Sequence, residues 1–506
     1  MKAKQIILLF LFVMKMNSTF SQTLFAKKIE GMNAAIGMVV GPDSVYNIIS
    51  HAAEFIKIDK FGTTLVQSSY LNSCFPDPAT FNLINSVDSG FIISGYTSGA
   101  VQPHRPFIAK TNSGGEIQWF RTTNEFNNFY GFNTIQLKDG SLISSTIFND
   151  SLSGIDQIYF QKTDIFGNLQ WAKTFQNQID CYLYSFCPTA DNGFIITGQK
   201  GLYPFYSKFD SLGVVSWSKS FPSLYSSGNS VAVLSDNNFI ILGQSGSYPN
   251  AKIFLAKVDT LGNLLWYKLY DRTLLNNGYK IIERKNGDFV IVGCVDNSNK
   301  GFLMVTNSQG IPKFSKKYVI NPVYPYTTFR DVFESNDNSL TLLANGQIDS
   351  LSVNDVLIKL DSIGEGFCNV YNDTVPFSSL SYATITDITL VFPFVATTTA
   401  INCFSSLSLG TSSNICINNE ISFLEVKKLL VYPNPIKDYL LISPPIDFYP
   451  NSIEVYNSLG QKVLFRELFD SQQHELNVPI SLTPGIYYGR LFSRQEVVSF
   501  NFVVSP

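Results

Sequence analysis

The chain has 506 residues, which is too long for one ordinary compact core but suits a repeat architecture. Aromatic residues make up 14% of the sequence and charged residues only 15%, which favours pleated β-structure. The formal net charge is −3 and no block of Lys and Arg occurs, which argues against a nucleic-acid partner and against an electrostatic membrane anchor.

The N-terminus has the pattern of an export signal. Lys2 and Lys4 form a basic start, and residues 6–13 are an unbroken run of eight apolar residues. Because eight residues cannot span a bilayer as a helix, we predict a signal peptide over residues 1–21, cleaved after Ser21. No later stretch is long and apolar enough to predict a transmembrane segment.

Residues 22–370 repeat a turn followed by an apolar strand. Residues 88–95, 191–198 and 236–243 are clear copies, in which an Asp-containing turn leads into Phe-Ile-Ile. The aligned apolar positions recur every 45 to 52 residues, at Tyr46, Phe91, Leu142, Phe194, Phe239, Phe289 and Leu340. Four short strands with their turns, called A to D here, fill such a length. The period is therefore typical of β-propeller blades.

The second half of each repeat is a strand, a tight turn of the form Asp-x-x-Gly, and another strand. All four tryptophans occupy the same position after this turn, at Trp119, Trp171, Trp217 and Trp266. Gly supplies a positive φ, and the Asp or Asn side chain can accept hydrogen bonds from backbone N–H groups. Calcium needs clustered oxygen ligands, whereas each turn carries one carboxylate. We therefore assign these residues to turn formation and predict no metal site and no cofactor.

The repeats also predict how the ring closes. Seven A–B–C sets occur, and a D-type strand follows each of the first six. The last set runs into residues 365–369, a poor strand, whereas a spare D-like strand at residues 24–29 opens the mature chain. We predict an all-β fold, a seven-bladed β-propeller in which the N-terminal strand completes the last blade and leaves no open ring edge.

The repeat pattern is similar to a known family. It resembles the Asp-Gly-Gly-Tyr-Ile and Lys-x-Asp-x-x-Gly-x-x-x-Trp repeats of secreted propeller proteins from the Bacteroidetes, over roughly residues 23–370. The resemblance implies a fold and leaves the ligand open, because propellers host many unrelated activities.

Residues 371–424 do not continue the repeat. They are rich in Ser and Thr and poor in charge, with alternating runs such as residues 385–392. We expect either a linker or a small β segment.

Residues 425–506 form a separate module. Apolar stretches at residues 438–442, 453–463 and 497–504 alternate with turns that carry Gly or Pro. This alternation predicts a small antiparallel β-sandwich.

The C-terminal module resembles the type A sorting domain of the Bacteroidetes type IX secretion system. The motifs Tyr-Pro-Asn-Pro, Tyr-Asn-x-x-Gly-Gln-x-Val and Pro-Gly-Ile-Tyr occur in that order. The residues that carry the sorting signal are then Tyr432, Pro433, Asn434, Pro435, Gly460, Gly485 and Tyr487. The resemblance implies two-step export, with the type IX machinery as partner. The passenger is then secreted or attached to the outer surface of a Gram-negative cell, and the sorting domain is typically removed.

The sequence offers little for catalysis. Only three histidines occur, His51, His104 and His474, and no Gly-x-Ser-x-Gly elbow accompanies them. Four glutamates, Glu54, Glu125, Glu283 and Glu334, are not explained by turns, yet the sequence does not pair them. We assign no catalytic residue.

The seven cysteines are irregularly spaced and include no Cys-x-x-Cys, so a zinc site has no support. We expect free, partly buried thiols, with one bridge among Cys368, Cys403 and Cys416.

Loop length indicates where a ligand would bind. The A–B and C–D turns are short, whereas the B–C and D–A connections are longer and differ between blades, as functional loops do. Their aromatic residues are candidates for stacking on sugars or anchoring a protein: Tyr96, Phe129, Tyr130, Tyr203, Tyr225, Tyr248, Tyr324 and Tyr326.

Three functions remain open at this point. The first is a non-enzymatic binding or adhesion propeller for a glycan or protein. The second is a polysaccharide hydrolase or lyase on the same scaffold, which would need carboxylates converging at the channel mouth on the face of the longer loops. A mouth lined by Tyr, Asn and Ser would favour binding. The third is a structural surface protein without any pocket.

Overall fold

The structure is a computed structural model. It describes residues 24–505 except 30–31, 33, 42–43, 71–77, 98–104, 124–128, 150–153, 177–178, 248–249, 271–276, 349–352, 381–384, 387–389, 394–397, 402–405, 409–411, 415–429, 433–438, 444–450, 458–460, 469–475, 480 and 494–496. The predicted signal peptide lies outside this range. The described residues form strands and turns without a helix, in two compact units, residues 1–417 and 418–506.

The repeats supply twenty-eight strands to the first unit. They are β1 (Phe25–Ile29), β2 (Ala35–Val40), β3 (Tyr46–Ser50), β4 (Glu54–Ile58), β5 (Thr64–Ser69), β6 (Pro78–Asn85), β7 (Phe91–Thr97), β8 (Arg105–Thr111), β9 (Ile117–Thr123), β10 (Phe129–Gln136), β11 (Leu142–Asn149), β12 (Asp156–Thr163), β13 (Leu169–Gln176), β14 (Cys181–Pro188), β15 (Phe194–Lys200), β16 (Tyr203–Phe209), β17 (Val215–Ser220), β18 (Ser227–Val233), β19 (Phe239–Ser245), β20 (Lys252–Val258), β21 (Leu264–Tyr270), β22 (Asn277–Glu283), β23 (Phe289–Val295), β24 (Lys300–Thr306), β25 (Pro312–Tyr318), β26 (Thr327–Glu334), β27 (Leu340–Gln347) and β28 (Val353–Leu360).

These strands pair in sequence order into antiparallel sheets. Strands β2 to β5 form sheet 1, and each following group of four forms the next sheet, up to β22 to β25 in sheet 6. Sheet 7 combines β26, β27 and β28 with the N-terminal strand β1, which pairs with β28 as expected from the sequence. The first strand of each sheet contacts the first strand of the next, and β26 contacts β2, so the sheets form a closed, propeller-like ring.

Residues 370–414 add one outer strand to every one of these sheets. Their strands are β29 (Val370–Asp373), β30 (Phe377–Leu380), β31 (Ile385–Thr386), β32 (Leu390–Pro393), β33 (Thr398–Ile401), β34 (Ser406–Ser408) and β35 (Ser412–Asn414). The first pairs with sheet 6, the next five with sheets 5, 4, 3, 2 and 1, and the last with β1 of sheet 7. This segment, which we call the belt, thus follows the whole ring in reverse order. It pairs the outer edges that the repeats leave open.

The second unit contains β36 (Leu430–Tyr432), β37 (Tyr439–Ser443), β38 (Ser452–Asn457), β39 (Lys462–Glu467), β40 (Leu476–Pro479), β41 (Gly485–Phe492) and β42 (Val497–Val504). They form a three-stranded sheet, β36-β37-β40, and a four-stranded sheet, β39-β38-β41-β42. Alternate residues of these strands, such as Leu440, Ile442, Ile453 and Val455, are buried in one apolar core.

The core of the first unit lies between neighbouring sheets and is rich in aromatic rings. Phe194 stacks parallel to Phe209 at 4.8 Å between ring centroids, and Phe160 of the preceding sheet packs on both at 5.4 Å. Burying one such side chain stabilises the fold by about 3 kcal/mol. The abundant Phe residues of the sequence therefore supply rings that pack between neighbouring sheets.

The repeated tryptophans hold each sheet to the next. The Gly of each Asp-x-x-Gly turn lies directly over the tryptophan ring of the preceding sheet, in the pairs Trp119–Gly167, Trp171–Gly213, Trp217–Gly262 and Trp266–Gly310. These glycines have φ between 72° and 80°. Tyrosine hydroxyls reinforce the same seams, since Tyr270 donates to the carbonyl of Gly310 at 2.6 Å. The turn glycine is thus required both by its backbone conformation and by close packing.

A buried lysine joins the two halves of most repeats. Its ammonium group pairs with the Asp of the A–B turn of the same sheet, in Lys110–Asp88, Lys162–Asp139, Lys208–Asp191, Lys257–Asp236 and Lys359–Asp337, at 2.7 to 3.6 Å. Burial raises the pKa of Asp191, but hydrogen bonds from Lys208 and Thr189 outweigh it and lower that pKa to about 2. These Asp residues therefore accept an ion pair in addition to shaping the turn.

We expect Lys110→Met to lower the free energy of unfolding by about 2 kcal/mol. The Lys110 side chain is 2% exposed, and its ammonium donates to the Thr111 carbonyl at 2.7 Å as well as to Asp88, so both acceptors lose their donor. Lys300→Met is the control, because Lys300 pairs with Asp296 at 3.0 Å but is 38% exposed, and Asp296 keeps Lys317 as a second partner. Denaturant unfolding measures both variants, and equal losses would refute the role of burial.

Candidate functional site

The ring presents two different ends. Consecutive strands are antiparallel hairpins, so the A–B and C–D turns lie at one end, the turn face, and the B–C and D–A connections at the other, the loop face. The turn face carries segments such as residues 86–90 and 112–116, and the loop face carries residues 201–202 and 221–226.

The structure describes most of the predicted aromatic residues. Tyr203 and Tyr225 are exposed on the loop face. Tyr96, Tyr324 and Tyr326 are half-buried. Phe129 and Tyr130 lie on β10, but their side chains are outside the described part, as is Tyr248.

Tyr203 and Tyr225 belong to one exposed apolar patch beside sheet 4. We call it the sheet-4 patch and define it as Ile179, Leu202, Tyr203, Leu224 and Tyr225, whose side chains are 38 to 56% exposed. Backbone hydrogen bonds join its three segments. The N–H of Ser226 donates to the carbonyl of Leu202 at 3.1 Å, and the N–H of Gly201 donates to the carbonyl of Asp180 at 2.9 Å. None of the five residues carries a charge, so the patch offers dispersion and stacking contacts.

The connection that carries Tyr225 is held in one shape. Ser223 and Ser226 bond each other through their hydroxyls at 2.9 Å, and Ser223 also bonds the Ser245 hydroxyl at 2.8 Å. The Ser226 hydroxyl donates to the Leu224 carbonyl at 3.0 Å. These bonds fix the loop against β19.

Tyr225 itself has φ of +54°, in the left-handed region that side chains with a Cβ avoid. Such a conformation costs about 1–2 kcal/mol for a non-glycine residue. The tyrosine is nevertheless 56% exposed, so its own burial does not offset this cost. Strained residues cluster at binding and switch sites, which makes Tyr225 a candidate for binding.

The sequence-based prediction includes the two tyrosines of the patch but not Ile179, Leu202 and Leu224. Scattered exposed aliphatic residues are common on protein surfaces, so their type alone gave no signal. Only the strand pairing places these three beside the tyrosines.

A second notable region of the loop face is a buried polar chain between sheets 6, 7 and 1. Asp355 accepts hydrogen bonds from the N–H of Ala35 at 2.8 Å and from the Asn345 amide at 2.5 Å. Asn345 in turn accepts from Arg330 at 2.8 Å, whose guanidinium lies 4.8 Å from the centre of the Tyr279 ring. The chain therefore ties the first strand of sheet 1 to sheets 7 and 6.

Asp355 is fully buried, and its Oδ2 atom has no hydrogen-bond partner in the described residues. Burial raises its pKa to about 6, and the negative charge of Glu54 acts in the same direction. Its hydrogen bonds join strands of sheets 1 and 7, so this carboxylate is part of the seam between these sheets.

Two of the four glutamates that the turns do not explain, Glu334 and Glu283, also join neighbouring sheets. Glu334 pairs with Arg284 at 2.6 Å, with both side chains 7% exposed. Glu283 accepts from the N–H and the hydroxyl of Ser235. Glu125 lies outside the described residues.

A cavity with a volume of about 660 Å³ opens on the turn face. Its polar lining includes Asn47, Asn85, Ser86, Ser335 and one cation, Lys57. None of its described lining residues is a carboxylate or a histidine. The cavity is thus lined by neutral polar side chains and one lysine, and it lies at the end of the ring opposite the B–C and D–A connections.

Histidines and cysteines give no site in the described part of the chain. His51 is exposed beside sheet 1, and His104 and His474 lie outside the description. No group of three His, Cys, Asp or Glu that could hold a metal ion occurs among the described residues. The same residues include no helix that could cross a membrane.

The described cysteines are of two kinds. Cys181, Cys187 and Cys294 form no disulfide, and burial raises the pKa of Cys187 to about 12, which keeps it an unreactive thiol. Cys368 is disulfide-bonded. One of the three cysteines expected to supply a bridge therefore does so.

The C-terminal unit places part of the predicted sorting signal. Tyr432 lies on β36, whereas Pro433, Asn434, Pro435 and Gly460 are outside the described residues. Gly485 begins β41, and Tyr487 is buried two residues later. The Tyr487 hydroxyl donates to the Thr483 carbonyl at 2.8 Å. This hydrogen bond joins the start of β41 to the residues that precede it, so the Pro-Gly-Ile-Tyr motif fixes the beginning of the strand.

Comparisons with solved structures give loose likenesses only. "YCF48 bound to D1 peptide" has a TM-score of 0.41 and 13% identity, covering 67% of this chain and 95% of that one. "Crystal structure of glucose dehydrogenase" has a TM-score of 0.37 and 8% identity, covering 66% and 98%. Likenesses this weak say nothing about the ligand or activity of this chain. No curated protein matches the sequence.

A known protein family matches the C-terminal unit. Residues 430–505 match the family described as "Secretion system C-terminal sorting domain". This match covers β36 to β42 and includes Tyr432, Gly485 and Tyr487. The C-terminal unit is therefore similar to a secretion sorting domain, which supports export of the chain by the type IX secretion system, to the outside or to the cell surface.

Proposed function

We propose that this protein is an exported binding protein whose loop face captures a protein partner through the sheet-4 patch. The observation that carries the proposal is Tyr225, held exposed in a strained conformation on a segment that is hydrogen-bonded to the segment of Leu202 and Tyr203. A loop already fixed by serine hydrogen bonds loses little entropy when a partner binds.

The composition of the patch favours a protein over a glycan. Tyrosine rings can stack on sugars, but the aliphatic side chains of Ile179, Leu202 and Leu224 fit apolar side chains better. Exposed aromatic anchors surrounded by apolar contacts are typical of interface hot spots.

The scaffold of the proposal is a seven-bladed β-propeller. In this proposal each of the seven sheets is one blade, β1 completes the last blade, and the two sheets of the C-terminal unit form a small sandwich. Residues 1–21 direct the chain across the inner membrane of a Gram-negative Bacteroidetes cell, and residues 425–506 direct it across the outer one. The mature passenger is then released or held at the surface as an adhesion protein.

A phage-displayed random peptide library tests the proposal. We expect the full chain to select peptides rich in aromatic and aliphatic residues, and Tyr203→Ser combined with Tyr225→Asn to bind them roughly 10- to 100-fold more weakly. Asn tolerates positive φ better than Tyr, so the variant should fold as stably as the parent.

Phe166→Ser combined with Leu261→Ser is the matched control. These residues are 64% and 67% exposed in C–D turns of the turn face, so their loss should leave peptide binding unchanged. The same proteins are applied to a glycan array. Retention of glycans without peptide selection, or equal binding by the parent and the tyrosine variant, would overturn the proposal.

A further inference from the structure

The four-stranded sheet of the C-terminal unit carries large apolar side chains on its outer face. Along β41, Tyr487 and Leu491 point inward and are buried in the core. Ile486, Tyr488 and Arg490 alternate with them and are exposed. When one face of an antiparallel sheet packs on a core, the face turned to solvent is normally polar. The outer face of this sheet departs from that rule.

The neighbouring strands extend this apolar area. Tyr456 of β38 lies directly opposite Tyr488, and Phe465 of β39 lies opposite Glu454, two residues before Tyr456 on the same face of β38. We call Ile486, Tyr488, Tyr456 and Phe465 the outer-sheet patch. Ile486, Tyr488 and Phe465 are 51 to 56% exposed, and Tyr456 is half-buried. The patch therefore spans three adjacent strands.

Charged side chains hold the rings of the patch in place. Glu454 accepts hydrogen bonds from the Tyr456 hydroxyl and from the Lys462 ammonium. The guanidinium of Arg490 lies 5.4 Å from the centre of the Tyr456 ring, and the Lys462 ammonium lies 5.7 Å from the centre of the Phe465 ring. Side chains that are already ordered lose little freedom when a partner binds.

The charges beside the patch favour a protein as partner. Lys462 forms an ion pair with Glu454, and Arg490 lies opposite the same glutamate across β38 and β41. A nucleic acid or an anionic lipid surface would need clustered cations without such an acid among them. Exposed aromatic rings with charged groups beside them are instead typical of protein interfaces.

The family match indicates which kind of protein recognises this unit. Residues 430–505 match a secretion system sorting domain, and a sorting domain has to be recognised by its export machinery. Core residues such as Leu440 and Ile453 are buried and cannot contact a partner. Among the exposed large apolar side chains in the described part of this unit, Tyr439 lies on the three-stranded sheet and all others lie on the four-stranded sheet.

We propose that the outer-sheet patch is the surface through which a protein component of the type IX secretion machinery binds this chain. This role rests on the proposed export of the chain by that machinery and adds the residues that the machinery contacts. Tyr488 and Ile486 are the anchors, because they are the most exposed residues of the central strand β41. The role is independent of the sheet-4 patch, which belongs to the other unit.

Export of the full chain from a Gram-negative cell that has a type IX secretion system tests the proposal. Antibody detection measures the amount of chain outside the cell relative to the amount retained in the periplasm. We expect Ile486→Ser combined with Tyr488→Ser to lower this ratio by roughly ten-fold or more. Tyr488→Phe keeps the ring and should be exported as the parent is.

Tyr439→Ser is the matched control, because Tyr439 is 46% exposed but lies on β37 of the other sheet. It should be exported as the parent is. The purified double variant should have the thermal unfolding midpoint of the parent, since both of its replaced side chains are exposed. Equal export of the parent and the double variant, or an equal loss in Tyr439→Ser, would overturn the docking role and leave the export route standing. Retention of the parent would refute the export route itself, and the docking role with it.

Discussion

Gly213→Ala should lower the free energy of unfolding of the first unit by about 3 kcal/mol. An added Cβ at this position would lie 2.6 Å from Cη2 of Trp171, which is closer than a real Cβ can approach an aromatic ring. Overpacking of this kind costs about 1–3 kcal/mol, and the positive φ of 72° adds about 1 kcal/mol for a residue with a side chain.

Gly287→Ala is the matched control for this variant. Gly287 has φ of +80°, but an added Cβ there meets no atom within 4 Å. Its replacement should therefore cost only the backbone part, about 1 kcal/mol. Urea unfolding of the two variants separates the cost of the backbone conformation from the cost of overpacking against Trp171. Equal losses of unfolding free energy would show that the tryptophan contact does not hold the sheets together.

Asp355→Asn should remove a pH dependence of stability between pH 4 and pH 7. In the folded protein burial raises the pKa of Asp355 to about 6, above its value in the unfolded chain. A raised carboxyl pKa favours the protonated folded state, so its stabilising contribution is complete below the unfolded pKa and is lost as the pH rises through 6.

The expected loss for the parent over this range is about 2–3 kcal/mol, since one pKa unit corresponds to 1.36 kcal/mol and the carboxylate is fully buried. The turn aspartates act in the opposite direction and at lower pH. Hydrogen bonds and ion pairs lower the pKa of Asp139 and Asp191 to about 2, against the effect of burial, so their contribution is lost only in acid. Parallel stability curves for the parent and Asp355→Asn between pH 4 and pH 7 would contradict this assignment.

The repeats made the sheets predictable because each carries its own local signals. Turn glycines, an apolar B strand and one tryptophan on the D strand recur at fixed spacing, and each has a structural use that depends only on the nearest sheet. The N-terminal strand was predictable for the same reason, because residues 24–29 resemble a D strand.

The belt could not be predicted in the same way. Strands of two to four residues, such as β31 (Ile385–Thr386), are too short to show an alternation. Their positions depend on the open outer edges of a ring that exists only after folding. For this reason the sequence predicts either a linker or a small β segment for residues 371–424 and does not distinguish the two.

The lysine–aspartate pairs show a second reason why part of the structure could not be predicted from the sequence. Lys and Asp were both visible in every clear repeat, and the aspartates were assigned to turn formation. That the lysine reaches back across the sheet, as Lys208 does to Asp191 at 2.7 Å, depends on side-chain direction in two paired strands. The sheet-4 patch depends in the same way on pairing between separate loops.

Hydrogen exchange of the full chain, with and without a peptide selected from the library, tests the central claim most directly. The account expects slower exchange on binding in residues 201–203 and 221–226, around Tyr203 and Tyr225, and unchanged exchange on the turn face. Protection of residues 86–90 and 335–336 instead, at the cavity of the turn face, would contradict it and move the binding site to the opposite end of the ring.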